Sequence, residues 1–170
     1  MSKGPLLITS FRAWRSHQHS NSSQDLVAAM AANHQLPPNA VWLSQVPVNF
    51  QTAPMQVLSE IYRIRPRAVV CCGMAEKRVC LSLEQQARGR MGALKTNLNL
   101  VDLLANTRLS EVSYDAGDYV CNHLYYSVLE AIYQGKISTS CLFVHVPLLS
   151  VQTWPLIQSD LSEVLEKLAS

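Results

Sequence analysis

The chain has 170 residues, 48% of them hydrophobic and 15% charged, which fits one folded domain (residues 1–170) and excludes a disordered chain. Fourteen basic and twelve acidic residues give a net charge of +2 with no Lys/Arg-rich block, so the footprint of a nucleic-acid binder is missing. The longest apolar stretch, Ala68 to Ala75 broken only by Gly73, is too short to cross a bilayer.

In chain order, Leu6 to Phe11 reads as a strand, and Ser22-Ser23 offer caps for a helix over Gln24 to Asn33, where Leu26, Val27, Met30 and Ala31 have helical spacing. Val41 to Val46 is a second strand. Pro54 suits the first turn of a helix carrying Met55, Leu58, Ile61 and Tyr62, which Pro66 stops. Ala68-Val69-Val70-Cys71-Cys72 is apolar on both faces and belongs in a sheet covered by helices on both sides. Arg78 to Leu83 alternates as a less buried strand that delivers Glu84. Gln85 to Thr96, with Arg88, Gly89, Arg90 and Gly92, lacks a pattern and reads as a loop before a short helix near Leu100 to Ala105. Glu111 to Tyr114 is a further strand. Asp118 can then cap a helix striped by Val120, Leu124, Val128 and Ile132 and ended by Gly135. Ser140 to Val146 is a buried strand, and Leu161, Val164, Leu165 and Leu168 share one face of a last helix. This order predicts an α/β fold: a three-layer domain with a mostly parallel central sheet flanked by helices.

Five cysteines, an odd number with Cys71 and Cys72 adjacent, do not make a disulfide framework and fit a reducing compartment. After Lys3 and Gly4 the apolar run is shorter than a secretory leader requires, so a cytoplasmic location is expected, with no membrane association. No Cys/His set has zinc spacing, and no G-x-S-x-G, P-loop or G-x-G-x-x-G occurs. No metal and no cofactor are therefore expected. His17 and His19 stand in a Ser/Gln/Asn-rich loop and read as solvated.

Open α/β sheets keep their sites at the carboxyl ends of the strands, where this chain places Glu84, Cys121 and His145. Cys121 lies in the first turn of a helix, where unpaired N–H groups and the helix dipole favour thiolate. A neutral His145 would complete a Cys–His pair, with Glu84 orienting the imidazole. The plainer alternatives are a core histidine bonded to a carbonyl and a surface carboxylate ending a strand. Phe11 and Trp14 follow the first strand, either as a cover on the core or as one wall of an apolar pocket.

Asp115-Ala116-Gly117-Asp118-Tyr119-Val120-Cys121-Asn122-His123, continuing to Tyr126, resembles the nucleophile motif of the pyroglutamyl peptidase I, or pyrrolidone-carboxylate peptidase, family. Phe143-Val144-His145-Val146-Pro147 resembles its histidine strand, and Gly73 followed by Leu83-Glu84 its glutamate segment. Leu7-Ile8-Thr9-Ser10-Phe11 is similar to its opening, and Pro47-Val48 sits where the family has its own Pro-Val. The resemblance implies a cysteine peptidase that removes an N-terminal pyroglutamyl or related small acyl residue from a small peptide through a thioester acyl-enzyme. It makes Cys121 the nucleophile, His145 the general acid/base and Glu84 the third catalytic residue. The acyl pocket would be bounded by Phe11, Trp14, Met74, Tyr119 and Val120, and Arg88 or Arg90 would assist the oxyanion. The sequence departs from the family where Ser10-Phe11-Arg12-Ala13-Trp14-Arg15 replaces a Gly-Phe-x-Pro-Phe-Gly opening, where Asn21-Ser22-Ser23 replaces Asn-Pro-Ser, and where Met74-Ala75-Glu76-Lys77 replaces a Gly-rich stretch. The segment from Glu84 to Cys121 is shorter than in ordinary members, and the missing stretch is one that helps subunits associate, so a homo-oligomer stays open. The alternative function is a non-catalytic or respecialised homologue acting as a ligand- or protein-binding module.

Overall fold

A computed structural model describes residues 4–170, so the leader reading, which includes Lys3, lies partly outside the described residues. The elements run β1 (Leu6–Phe11), α1 (Ser22–Ala32), β2 (Ala40–Val46), α2 (Thr52–Ile64), β3 (Ala68–Met74), β4 (Leu81–Glu84), β5 (Gln86–Gly89), β6 (Gly92–Lys95), α3 (Leu100–Leu104), β7 (Ser110–Ser113), α4 (Val120–Tyr133), β8 (Ser140–Val146) and α5 (Trp154–Ala169). Six strands form one sheet in the order β2-β1-β3-β8-β4-β7. All neighbours are parallel except β4 and β8, which pair antiparallel. Among the described residues no helix is long and apolar enough to cross a membrane.

Side chains alternate across each strand, so every buried strand feeds two cores. Leu6, Ile8, Val70, Cys72, Leu142 and Val144 point to the face packed by α1, α3 and α5. Leu7, Val69, Cys71, Cys141 and Phe143 point to the face packed by α2 and α4. This is the expected three-layer arrangement, and the strand 68–74 is buried on both faces as its composition requires.

Several local readings need correction. Asn21, not Ser22 or Ser23, caps α1: its side chain accepts from the Ser23 N–H, and both serines are already helical. The alternation from Arg78 does not make a strand before Leu81, and Val79 is 80% exposed. Asp118 does not cap α4. The cap position is Tyr119, which contributes no side-chain bond, so the first turn of α4 is left open to a ligand. Gly135 ends the helix as expected, with φ +68°.

The largest miss is the segment 85–96, which is a hairpin of β5 and β6 instead of a loop. Its burial rests on Ala87 and Leu94 alone, too few positions for a periodic signal. Its ladder is completed from outside: the Asn122 carboxamide accepts from the Arg88 N–H (2.9 Å) and donates to the Arg88 carbonyl (2.8 Å). The Tyr126 hydroxyl accepts from the Met91 N–H at 2.9 Å. Gly89 lies so close to the Tyr126 ring that a Cβ there would sit 2.5 Å from it. Cys121, Asn122 and Tyr126 thus belong to one helix that presents the thiol on one side and clamps the hairpin on the other.

At the outer edge of the sheet, the buried Asp160 of α5 accepts from the N–H groups of Arg108 (2.9 Å) and Leu109 (2.7 Å) and from the Ser110 hydroxyl (2.6 Å). It fixes the entry to β7, and through β7 the position of β4. Truncation would leave three partly buried donors without this partner, at up to about 1–3 kcal/mol each. Asp160→Ala should therefore lower stability by about 2–4 kcal/mol in urea titrations with an unchanged m-value; a loss below about 0.5 kcal/mol would refute this anchoring role.

Candidate active site

The antiparallel pairing of β4 with β8 sets Ser82 opposite His145 and Glu84 opposite Phe143, all on the sheet face covered by α4. Glu84 is fully buried and His145 nearly so, and Glu84 Oε1 meets His145 Nδ1 at 2.7 Å. With the proton on Nδ1 the imidazole donates to the carboxylate and leaves Nε2 as a free acceptor. The Phe143 ring lies 4.9 Å from the imidazole, and the Tyr125 hydroxyl of α4 donates to the Glu84 carbonyl at 2.8 Å.

Cys121, the second residue of α4, comes down onto the same face. The register pairs Gly73 of β3 with His145, and parallel neighbours in register point their side chains to the same side. A Cβ on Gly73 would lie 2.7 Å from Cys121 Sγ and 2.8 Å from Phe143 Cζ. Gly73 is therefore the gap that lets the thiol settle beside the histidine strand.

The helix-start argument for a lowered thiol pKa does not hold here. Burial comes first, followed by the negative fields of Cys71 and Glu84, and together they push the Cys121 thiol up to about 12. The resting group is a neutral thiol, and it needs a base to give up its proton.

A cavity of about 380 Å³ is lined by Cys121 together with Phe11, Trp14, Met74, Tyr119 and Val120. Val48 completes the apolar wall. The Trp14 and Tyr119 rings are in contact, with centroids 5.1 Å apart. The loop carrying Trp14 is held by Gln18, whose amide oxygen lies 3.4 Å from the N–H groups of Trp14 and Arg15 and whose amide nitrogen donates to Glu76 at 2.8 Å. His17, read as solvated, also meets Glu76, at 3.1 Å.

Neither Arg88 nor Arg90 lines the cavity. Arg88 faces Asp115 at 3.9 Å and Arg90 faces Glu130 at 3.5 Å, both as exposed pairs. Arg78 lines it instead, a residue that sequence reasoning passed over as the start of a strand. Its guanidinium contacts Glu84 (3.2 Å) and Glu111 (3.4 Å) and donates to the Asp115 carbonyl at 2.8 Å. It joins the carboxylate behind the histidine to the loop that leads into α4. The available signal was an arginine six residues before a buried glutamate, since a buried carboxylate requires a partner charge.

The sequence pattern of the family described as pyroglutamyl peptidase matches residues 99–163, which include Cys121 and His145. A pyrrolidone-carboxylate peptidase of Caldanaerobacter subterraneus is 28% identical over 134 residues, and a second from the same organism 27%. Over this part of its length the chain is similar in sequence to pyrrolidone-carboxylate peptidases. Each match covers 64% of this chain and about two thirds of the relative, 66% and 65% respectively. In fold, the pyroglutamyl peptidase I of Bacillus amyloliquefaciens superposes with a TM-score of 0.83, covering 98% of this chain and 95% of that one at 22% identity. A mutant pyrrolidone carboxyl peptidase of Pyrococcus furiosus gives 0.79 at 17% identity. The pyroglutamyl-peptidase fold therefore extends over the glutamate segment and the aromatic loop as well as the matched residues 99–163.

A neutral thiol predicts a specific chemical behaviour. Alkylation of Cys121 by iodoacetamide, followed by peptide mass mapping, should keep rising by about tenfold per pH unit between about pH 7 and pH 9, because thiolate fraction grows that way below the pKa. A rate already level at about pH 6–7 would mean a preformed thiolate.

Proposed function

We propose that this protein is a cysteine exopeptidase that removes an N-terminal pyroglutamyl or closely related small acyl residue from short peptides. The observation that carries this reading is the 2.7 Å Glu84–His145 bond, buried on the same sheet face and in register with the glycine against which Cys121 Sγ rests. The sequence and fold similarity to pyroglutamyl peptidases supports the same assignment.

In this reading the substrate's acyl group lies against Phe11, Trp14 and Val120, with its carbonyl carbon over Cys121. His145 Nε2 takes the thiol proton as sulfur attacks, and a C–S bond forms while the carbonyl π electrons move to oxygen. The open N–H groups at the start of α4 stabilise that oxyanion. The imidazolium, held by Glu84, returns its proton to the leaving nitrogen, the C–N bond breaks and a thioester remains. His145 then draws a proton from water, hydroxide equivalent adds to the thioester, and pyroglutamate leaves as the thiol is restored. Glu84 keeps the imidazole in the reactive tautomer and stabilises its charged form. The free thiols and the mixed charge fit a reducing, cytoplasmic setting.

The test is release of a fluorogenic amine from pyroglutamyl, prolyl and alanyl conjugates. The pyroglutamyl conjugate should be cleaved fastest, and Cys121→Ala should lower kcat by more than about 10⁴-fold. Trp14→Phe removes apolar bulk from the pocket and should shift the pyroglutamyl-to-prolyl ratio of kcat/KM upward by about tenfold, within the ~10–200-fold range of a one-methylene misfit. Equal cleavage of all three conjugates, or turnover that survives Cys121→Ala, would contradict the assignment.

A further inference from the structure

The charges around the cavity are not balanced. Glu76 is the one carboxylate among the described residues that line it, and Gln18 and His17 already occupy it. Arg78 is committed to Glu84, Glu111 and the Asp115 carbonyl. Lys77 makes no ion pair among the described residues, whereas the charge of Arg15 acts on Glu76. Arg15 stacks over the Trp14 ring at 4.9 Å and lies 6.0 Å from the Tyr119 ring. Among the described residues Lys77 has no side-chain hydrogen-bond partner, and it stands on the turn after β3.

Reaction geometry decides which part of a substrate meets Lys77. The carbonyl carbon has to touch Cys121, and the leaving nitrogen has to face His145, which protonates it. In the sheet β3 lies between β1 and β8. Phe11 ends β1, and Trp14 and Val48 follow β1 and β2, so the apolar wall that takes the acyl group is on the β1 side. The leaving group must extend the other way, across the turn 75–78 towards β8. Lys77 lines the cavity from that turn, which is bonded to the end of β8 through the Ala75 N–H and the Val146 carbonyl, and Glu76 is the one carboxylate among the described lining residues.

We infer that Lys77 forms a leaving-group subsite that selects a carboxylate close to the scissile bond, making acidic peptides the preferred substrates. This rests on the peptidase reading above. The carboxylate has two sources, the side chain of an acidic residue after the bond or the free C-terminus of a dipeptide. A partly exposed ion pair of this kind is worth about a two- to fivefold preference, weakened by salt.

Two peptide pairs separate the sources: pyroglutamyl-glutamate amide against pyroglutamyl-glutamine amide, and pyroglutamyl-alanine against pyroglutamyl-alanine amide. At low ionic strength the charged member of at least one pair should show a two- to fivefold higher kcat/KM. That preference should shrink as salt is added, vanish in Lys77→Met and invert in Lys77→Glu. Equal values in both pairs, or a preference that survives Lys77→Glu, would overturn the inference while leaving the peptidase intact. Calorimetric binding of the same four peptides to Cys121→Ala supplies a readout free of turnover. If none of the peptides is hydrolysed by the native protein, tighter binding of the charged members still upholds the subsite and faults only the hydrolase. Equal binding, or no binding, overturns the subsite as well.

Discussion

A carboxylate and an imidazole buried together at 2.7 Å set the terms for the rest of the molecule. A buried Glu84 with no solvent contact needs partners, and His145 and Arg78 both meet its Oε1, leaving Oε2 buried with no hydrogen-bond partner among the described residues. The antiparallel insertion of β4 between β8 and β7 is the topological feature that makes this pairing available. Because β4 runs opposite to β8, Glu84 lies inward of the carboxyl edge, opposite Phe143 and two positions from His145 on the same face.

The remaining parts of the site follow from keeping that pair accessible on one side. Gly73 withdraws a side chain from the strand beside His145, and α4 fills the gap with a thiol. The aromatic loop and the turn after β3 then close over the thiol from above, tied to each other through Gln18, His17 and Glu76. That tie engages Glu76, the one carboxylate among the described residues that line the cavity, and leaves Lys77 exposed without an ion pair among the described residues, so the electrostatics of the mouth are a consequence of how its two loops are joined.

Much of this was legible in the sequence because it depends on local pattern. Buried strands such as Ser140–Val146 are uninterrupted apolar runs, which places His145 near the carboxyl edge; the same argument fails for Glu84, because β4 runs antiparallel and brings it in opposite Phe143 instead. Four of the residues that line the cavity could be placed near it from local order alone, Phe11 and Trp14 at and after the end of β1 and Tyr119 and Val120 just before Cys121. What escaped was non-local. The hairpin 86–95 takes its order from Asn122 and Tyr126, far along the chain, and Arg78 acquires meaning only when Glu84 and Asp115 are brought to it. The protonation state of Cys121 escaped too, because a helix start favours thiolate whereas burial and two nearby negative fields oppose it more strongly.

The central claim is that Cys121 carries the acyl group between the two halves of a hydrolytic cycle. Acid quenching during steady-state turnover of a pyroglutamyl substrate, followed by intact-mass and peptide mapping, tests it most directly. The account predicts a pyroglutamyl thioester on the peptide containing Cys121, lost in Cys121→Ala and discharged by hydroxylamine. Product formation with no covalent species on that peptide, or an acyl group found on another residue, would contradict it.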